Sequence, residues 1–389
     1  MPERSSDGTD GRRVTYLDYN ATSPVDPRVA EEVMRFMVLE FGNSGSRTHV
    51  FGQAAKERVQ LARTEVAAVL AADPSEVIFT SGATESNNLA ILGLAEHGTK
   101  VGKTHIISTQ IEHKAVLEPL EVLAARGFDV ELIAPTAGGW VDPESIRAAL
   151  RPDTLLVSTM AVNNETGVIQ PLDDIADALL DIDALFHVDA AQSFGKVVEP
   201  LRNPRIDLIA VSGHKIGAPK GVGALLTRRR GYKRPPLKPL MFGGGQERGL
   251  RPGTLPVALI AGLGLASTLA LKESDERHAR ALAVRGNIMD ALAPLNPQYN
   301  GDIDRTIDTT LNFSVPGIDS EAAIVALKDV AAISNGSACT SQSYEPSHVL
   351  TAGGLDEARV AGALRLSWGY EQGYVPIDAV VARLRELVR

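Results

Sequence analysis

Short apolar runs rich in β-branched residues alternate with longer amphipathic stretches between about residues 77 and 227. The apolar runs predict buried strands, and they cover residues 76–80, 105–109, 129–134, 154–160, 184–189, 207–212 and 222–227. Stretches such as 113–127, with apolar residues every three or four positions, predict helices between them. This alternation predicts an α/β fold in which helices sandwich a mostly parallel central sheet. Ligands of such sheets bind beyond the carboxyl ends of the strands.

The pattern changes near residue 272, where charge density rises and shorter elements follow. A chain of 389 residues exceeds the size that one hydrophobic core usually serves, so we expect two domains. We predict a flexible tail over residues 1–14, a large domain over 15–271 and a smaller C-terminal α/β domain over 272–389. The first residues of the large domain are expected to pack on the small one.

The composition narrows the class of protein. A formal net charge of −9 disfavours a broad interface with nucleic acid, and the one basic run, residues 228–234, is more typical of a solvated loop. The apolar stretch 255–271 is interrupted by polar residues and predicts a buried helix rather than a membrane span. We find no secretory signal pattern. The single cysteine excludes an internal disulfide and, with these features, predicts a cytoplasmic protein.

Polar turns follow several of the predicted strands. Residues 81–87 form a small-residue turn that opens a helix, where free backbone amides can hold a phosphate, although Ser81 or Thr84 could simply cap that helix. Asp189 ends another strand and could keep a pyridinium nitrogen protonated, or it could be an ordinary helix cap. Each feature alone decides nothing.

Lys215 is the most informative residue. It follows a buried strand within Ser212-Gly213-His214-Lys215, where partial desolvation would lower its pKa and leave a neutral amine able to form a Schiff base. Most lysines are solvated surface residues. A phosphate-type turn, a strand-end aspartate and this lysine nevertheless occur in the order that a pyridoxal 5′-phosphate (PLP) site requires.

Eight sequence blocks between residues 16 and 350 carry a family resemblance. They are YLDYNATSPVDP, FTSGATESNNLAILG, EHKAVLEPL, VNNETGVIQP, HVDAAQSFGK, SGHKIGAPKGVGAL, GGGQERGLRPGT and SNGSACTSQSYEPSHVL, with LRLSWG beyond them. The chain resembles the cysteine desulfurases of the NifS/IscS group, which are class-V aminotransferase-like PLP enzymes of fold type I. Residues 42–49, Pro252 and residues 342–344 are similar to the cysteine desulfurase of the bacterial DNA phosphorothioation system.

The resemblance implies a role for each matching residue. Lys215 would bind PLP covalently, His113 would stack on its ring and assist proton transfer, Asp189 would pair with the pyridine nitrogen, and Gln192 would bond the phenolic oxygen. The phosphate would be held by Ala83, Thr84, Ser212 and His214, together with Thr254 of the partner subunit in a homodimer. Asn164 and Arg365 would bind the substrate carboxylate. A purely structural role is the alternative for three of these residues. Thr254 could cap a helix, His113 could hydrogen-bond the free amides at the start of its helix, and Arg365 could form an ordinary ion pair.

Cys339 lies in a run of small polar residues, 334–341, that predicts an exposed loop rather than a core position. The resemblance implies that its thiolate removes sulfur from L-cysteine, leaving L-alanine and a persulfide. Because the chain has no second cysteine, an external acceptor, or an iron–sulfur partner protein, must take that sulfur. No metal site is predicted. The alternatives are another fold type I PLP enzyme, either a selenocysteine lyase or an aminotransferase, and a non-catalytic scaffold of the same fold.

Overall fold

The computed structural model describes residues 14–335, 345–372 and 375–388. Within them the helices are α1 (Pro27–Val38), α2 (Val50–Val69), α3 (Ala83–Leu92), α4 (Ala95–Val101), α5 (Lys114–Ala124), α6 (Pro143–Ala149), α7 (Leu172–Ala178), α8 (Val257–Lys272), α9 (Ser274–Leu292), α10 (Ser320–Leu327), α11 (His348–Ala352), α12 (Glu357–Ala361) and α13 (Asp378–Leu387). The strands are β1 (Thr15–Tyr16), β2 (Val77–Thr80), β3 (His105–Thr109), β4 (Asp129–Ile133), β5 (Thr154–Met160), β6 (Leu185–Asp189), β7 (Leu208–Ser212), β8 (Gly223–Thr227), β9 (Gln298–Tyr299), β10 (Thr310–Ser314), β11 (Ala331–Ala332) and β12 (Ala363–Ser367).

Seven strands form the central sheet in the order β2-β8-β7-β6-β5-β3-β4. They match the seven predicted apolar runs to within one residue at each end. Strand β8 runs antiparallel to both of its neighbours, and the remaining pairs are parallel. The predicted α/β class with a mostly parallel sheet is confirmed.

Alternate residues of each central strand face opposite layers of helices. Val77 and Phe79 pack in one apolar cluster with α1, α2 and α8, whereas Ile78 packs in a second cluster with α3, α4 and α5. The same alternation recurs in β3 and β7. A strand buried on both faces has a continuous apolar sequence, which is why these runs lack the alternation of a half-buried strand.

Helix α8 corresponds to the predicted buried helix. It packs against α1 and α2, and ten of its residues are buried. No single helix among the described residues is long and apolar enough to cross a membrane, although α8 and the segment Ser274–Leu295, bent by 75°, together pass a test of length and composition.

A separate apolar cluster lies in the C-terminal part of the chain, where α9, β10, β12 and α13 pack together. Leu17 belongs to this cluster, and β1 pairs in parallel with β11. The N-terminal strand thus lies against elements more than 300 residues away along the chain. A domain boundary at residue 272 stays a prediction.

Candidate active site

A cavity of about 690 Å³ lies beyond the carboxyl ends of the central strands. Most of the residues predicted for the site line it: Ala83, Thr84, His113, Asn164, Asp189, Gln192, Ser212, His214, Lys215 and Arg365. Thr254 is exposed and does not line this cavity. Cys339 lies outside the described residues. The volume is in the range of small-molecule sites.

The start of α3 forms one end of the cavity. Its N-cap is Gly82, at φ +154°, and no side chain caps the helix, so the alternative that Ser81 or Thr84 is a capping residue is wrong. Glu85 instead accepts a hydrogen bond from the Ser81 amide at 2.7 Å. The first-turn amides of α3 therefore remain available to an anion.

Glycine is required where α3 meets the sheet. A Cβ on Gly223 would lie 2.6 Å from the Cα of Gly82, and Gly82 itself has a positive φ that residues with a Cβ rarely adopt. This close approach brings the α3 terminus beside the end of β7. The two phosphate-binding segments predicted from sequence thus meet in one cradle.

Lys215 ends a short 3-10 turn, Gly213–Lys215, that follows β7. Its ammonium group donates hydrogen bonds to the carbonyls of Asn20 and Ala21, the latter at 2.8 Å. Burial lowers the pKa of Lys215 to about 7, and the positive charges of Lys196 and Arg365 act in the same direction. Near neutral pH a large fraction of the amine is therefore neutral and nucleophilic.

Asp189 is buried at the end of β6. Its carboxylate accepts hydrogen bonds from Asn87 Nδ2 at 2.7 Å and from the Ala191 amide at 2.9 Å. The neighbouring Gln192 donates to the Asn20 carbonyl at 2.9 Å, while its side-chain oxygen is buried without a partner among the described residues. The two hydrogen bonds to Asp189 thus hold its carboxylate in one orientation at the wall of the cavity.

His113 is the N-cap of α5, with Nδ1 accepting from the Ala115 amide at 3.0 Å. The proton of the neutral ring must then lie on Nε2. Burial lowers the pKa of His113, with opposing contributions from Asp189 and Lys215. Nδ1 of His113 therefore caps the start of α5, as the structural alternative expected. The same ring also lines the cavity.

His214 also lines the cavity, with Nδ1 3.1 Å from the Thr22 hydroxyl. Burial, together with the charges of Lys215, Lys220 and Lys196, lowers the pKa of His214 to about 4. The imidazole is neutral at physiological pH, so it can offer a hydrogen bond without adding a charge.

Arg365 lies on β12 with its side chain buried. Its guanidinium donates to Asp18 at 2.6 Å and to the Asn164 carbonyl at 2.8 Å. Arg365 thus does form an ion pair, with Asp18, as the structural alternative expected. Its Nε has no partner among the described residues. The guanidinium has more N–H donors than these two contacts use.

The described residues on either side of residues 336–344 are anchored near this site. The backbones of Ser334 and Arg365 exchange hydrogen bonds of 3.2 and 2.6 Å. On the other side, Ser347 donates to the buried carboxylate of Glu165 at 2.5 Å, and burial raises the pKa of Glu165 to about 7. Both ends of the segment that contains Cys339 therefore attach to residues adjoining the cavity wall.

The basic run 228–234 is involved in structural contacts. Arg230 donates to Asp207 at 2.6 Å, Arg229 to Asp73 at 3.1 Å, and Arg228 to the carbonyl of Ile206 at 3.0 Å. These contacts tie the segment after β8 to the sheet. Arg234 also donates, to the Ser75 carbonyl at 3.1 Å. The solvated-loop interpretation is therefore incomplete, because four charged residues of the run have partners.

Several residues of the site were missed from sequence. The Asn20 carbonyl accepts hydrogen bonds from the side chains of Lys215 and Gln192. The Asp18 carboxylate accepts from Arg365, and the Asn87 side chain donates to Asp189. All lie in blocks that carried the family resemblance, so the blocks were the available signal. Among the described residues no group of three or more His, Cys, Asp or Glu side chains could hold a metal ion.

Comparison with known proteins gives a consistent result. Residues 15–375 match the family described as Aminotransferase class-V. The "Cysteine desulfurase IscS" of Photobacterium profundum is 45% identical over 376 residues, which cover 96% of this chain and 92% of the relative. The crystal structure of DndA from Streptomyces lividans is 52% identical with a TM-score of 0.80, covering 91% of this chain and 99% of that one. The structure of SspA in complex with cysteine is 37% identical with a TM-score of 0.79, covering 92% and 99% of the two chains.

Proposed function

The chain belongs to the class-V aminotransferase family and, within it, to the cysteine desulfurases, and we propose that it converts L-cysteine to L-alanine with PLP held on Lys215. The observation that carries this proposal is the placement of one lysine, with a pKa lowered to about 7, in a cavity shared with Asp189, His113 and Arg365. The enzymes of this family use PLP. Our proposal is that this chain likewise binds PLP and uses cysteine as its substrate.

The cavity residues match the chemistry of PLP. The uncapped α3 terminus and Ser212 offer donors for a phosphate, and the neutral His214 adds another. The Asp189 carboxylate suits a protonated pyridine nitrogen. Gln192 Nε2 donates one N–H to the Asn20 carbonyl, and its second N–H would donate to a phenolic oxygen. His113, at the start of α5, would stack against the ring.

The remaining residues would bind and orient the substrate. Arg365 and Asn164 would hold its carboxylate, with Asp18 fixing the guanidinium plane. The neutral amine of Lys215 would act as the base for the α-proton, and His113, whose Nε2 carries the proton of the neutral ring, would assist proton transfer. Bound PLP would supply an electron sink for the carbanion formed at the α-carbon.

Cys339 would accept the sulfur. Its thiolate would attack the substrate sulfur, forming a sulfur–sulfur bond as the carbon–sulfur bond breaks and the carbon product becomes alanine. Because Cys339 is the only cysteine, the persulfide must pass to an external acceptor. The likeness to DndA supports an acceptor for DNA phosphorothioation, and the likeness to IscS supports iron–sulfur assembly. The absence of a second cysteine also suits a reducing cytoplasm.

Incubation of the full-length protein with L-cysteine, with sulfide and alanine measured together, tests the activity. We expect equal amounts of both products when a thiol reductant is present. Cys339→Ser should retain a visible absorbance band and release no sulfide, whereas Lys215→Ala should lose the band. Glutamate-dependent amino transfer without sulfide would favour an aminotransferase, and selective use of selenocysteine would favour a lyase. A colourless wild-type protein would favour a scaffold.

We also propose a homodimer in which Thr254 of the partner subunit reaches the phosphate. Phe41 and Phe51 stack at 5.7 Å yet are 66% and 50% exposed, and Phe242 is 88% exposed. Such a set of exposed aromatic side chains is typical of an interface. Thr254 does not cap α8, whose N-cap is Pro256 with no side-chain hydrogen bond, so the capping alternative is wrong.

Mixed dimers test this arrangement. Lys215→Ala and Thr254→Val homodimers should each be impaired, but a mixed dimer would contain one site with neither change. Recovery of activity on mixing supports a shared site. An active monomer in light scattering, or no recovery in dimers shown to have exchanged subunits, would exclude it.

A further inference from the structure

A second cavity, of about 490 Å³, lies against Lys215 and is distinct from the proposed substrate cavity. It lies between the start of α1, the first turns of α9 and residues 368–371, and Lys215 and Lys196 both line it. Lys215 therefore lines both cavities. The proposed reaction uses only one of them.

Each carboxylate of the second cavity already has a donor. Asp26 pairs with Arg28 at 2.7 Å, and Glu273 pairs with Arg277 at 2.9 Å. Glu276 pairs with Arg280 at 2.5 Å, and Glu371 accepts from the Tyr19 hydroxyl at 2.5 Å. The acids of this cavity are thus engaged at contact distance by groups other than the two lysines.

Lys196 is different. Its ammonium group forms neither an ion pair nor a hydrogen bond with any residue that the structure describes. Its place in the chain is fixed by the turn that follows β6, where its amide donates to the Ser193 carbonyl at 2.8 Å. Burial lowers the pKa of Lys196 to about 8, so it retains its proton near neutral pH.

We propose that Lys196 is a positioning residue for the reaction: its positive charge, held in the cavity that Lys215 also lines, keeps the Lys215 amine in its neutral, nucleophilic form. A nearby cation disfavours a second positive charge, which is one of the physical routes to an activated lysine. The direction agrees with the lowered pKa of Lys215, in which the charge of Lys196 is the largest contribution after burial. This role rests on the proposed function only in that Lys215 is the cofactor lysine.

Other charges that face the lysine pair set the background for the test. Asp18 and Asp189 raise the pKa of Lys215 and Arg365 lowers it. Burial raises the pKa of Tyr19 and Tyr370, so both stay neutral. The remaining charged groups of the second cavity are Asp26, Arg28, Glu273, Glu276, Arg277, Arg280 and Glu371. These groups are unchanged in the variants below, so a difference between variants reports on Lys196.

The test compares Lys196→Met, Lys196→Arg and the wild type in the full-length chain. The control is Lys272→Met, which removes the same charge from an exposed position at the end of α8 that lines neither cavity. The first measurement is the pH midpoint of the visible absorbance change of the cofactor-loaded enzyme. The second is the pH dependence of competitive acetylation of Lys215 in the same chain after cofactor removal.

We expect Lys196→Met to raise both midpoints by about one pH unit, the order of shift that a nearby like charge produces at a buried site. Lys196→Arg and Lys272→Met should stay within a few tenths of a pH unit of the wild type. Equal midpoints in Lys196→Met and the wild type, or equal shifts in the Met and Arg variants, would overturn the proposal. A missing absorbance band in the wild type would instead refute the PLP assignment, while acetylation would still report on Lys196.

Discussion

Replacement of Arg365 by Lys is the sharpest test of the substrate end of the site. The guanidinium spans Asp18 at 2.6 Å and the Asn164 carbonyl at 2.8 Å, and its Nε has no partner among the described residues. A planar fork can hold both contacts and still present donors to a carboxylate. A lysine ammonium offers one point of attachment, so Asp18 and the substrate would compete for it.

The magnitude follows from the hydrogen bonds lost. A hydrogen bond to a charged group contributes about 1.5–3 kcal/mol, which corresponds to a loss of about 10–150-fold in kcat/KM. If the contact binds substrate and transition state equally, KM should rise while kcat changes little. Sulfide release measured over a range of L-cysteine concentrations separates the two parameters.

Asp18→Asn is the matched control, because it keeps the Arg365 charge and leaves an oxygen that can accept from Nη2. We expect a loss of about threefold, since only the charge of one contact is removed. A wild-type kcat/KM in Arg365→Lys, with an unchanged thermal unfolding midpoint, would refute carboxylate binding by Arg365.

Two further predictions concern the scaffold. Glu112 is fully buried, and burial raises its pKa from 4.5 to about 8, so the folded state keeps a proton that the unfolded state loses as pH rises between those values. The free energy of unfolding of the wild type should therefore fall as pH rises across that window. Glu112→Gln removes this titration, so the thermal unfolding midpoint of the variant minus that of the wild type should be larger at about pH 8 than at about pH 5. An equal difference at both pH values would contradict this. Glu247 pairs with Arg63 at 2.6 Å and accepts from the Phe79 amide at 2.7 Å, so Glu247→Ala should cost about 3–5 kcal/mol in urea unfolding by leaving a buried arginine unpaired. A loss below about 1 kcal/mol would show that Arg63 finds another partner.

The strands of the central sheet could be predicted from sequence because both faces of the sheet are buried. Each strand is then a short apolar run, as in Leu208–Ser212, and the polar residue after it, such as Lys215, falls at the ligand-binding edge. The local pattern of apolar residues was therefore sufficient to predict both the strands and the position of Lys215 at the ligand-binding edge.

Contacts between distant segments were beyond that reasoning. The resemblance led us to expect that the first residues of the large domain pack on the small one, but not that β1 pairs with β11. The reversed direction of β8 and the hydrogen bond from Lys215 to Ala21 also depend on which segments meet in space. Lys196 ends one of the blocks that carry the family resemblance, but its significance comes from a cavity formed by five separate parts of the chain. Periodicity describes one element at a time and contains no information on such meetings.

The central claim is that Lys215 and Cys339 act in one reaction. Peptide mass spectrometry of the full-length protein after brief exposure to L-cysteine tests it most directly. The account predicts the mass of one added sulfur atom on the peptide that contains Cys339 in the wild type, and none in Lys215→Ala. An unmodified Cys339 in wild-type protein that is releasing sulfide, or the same added sulfur in Lys215→Ala, would contradict it.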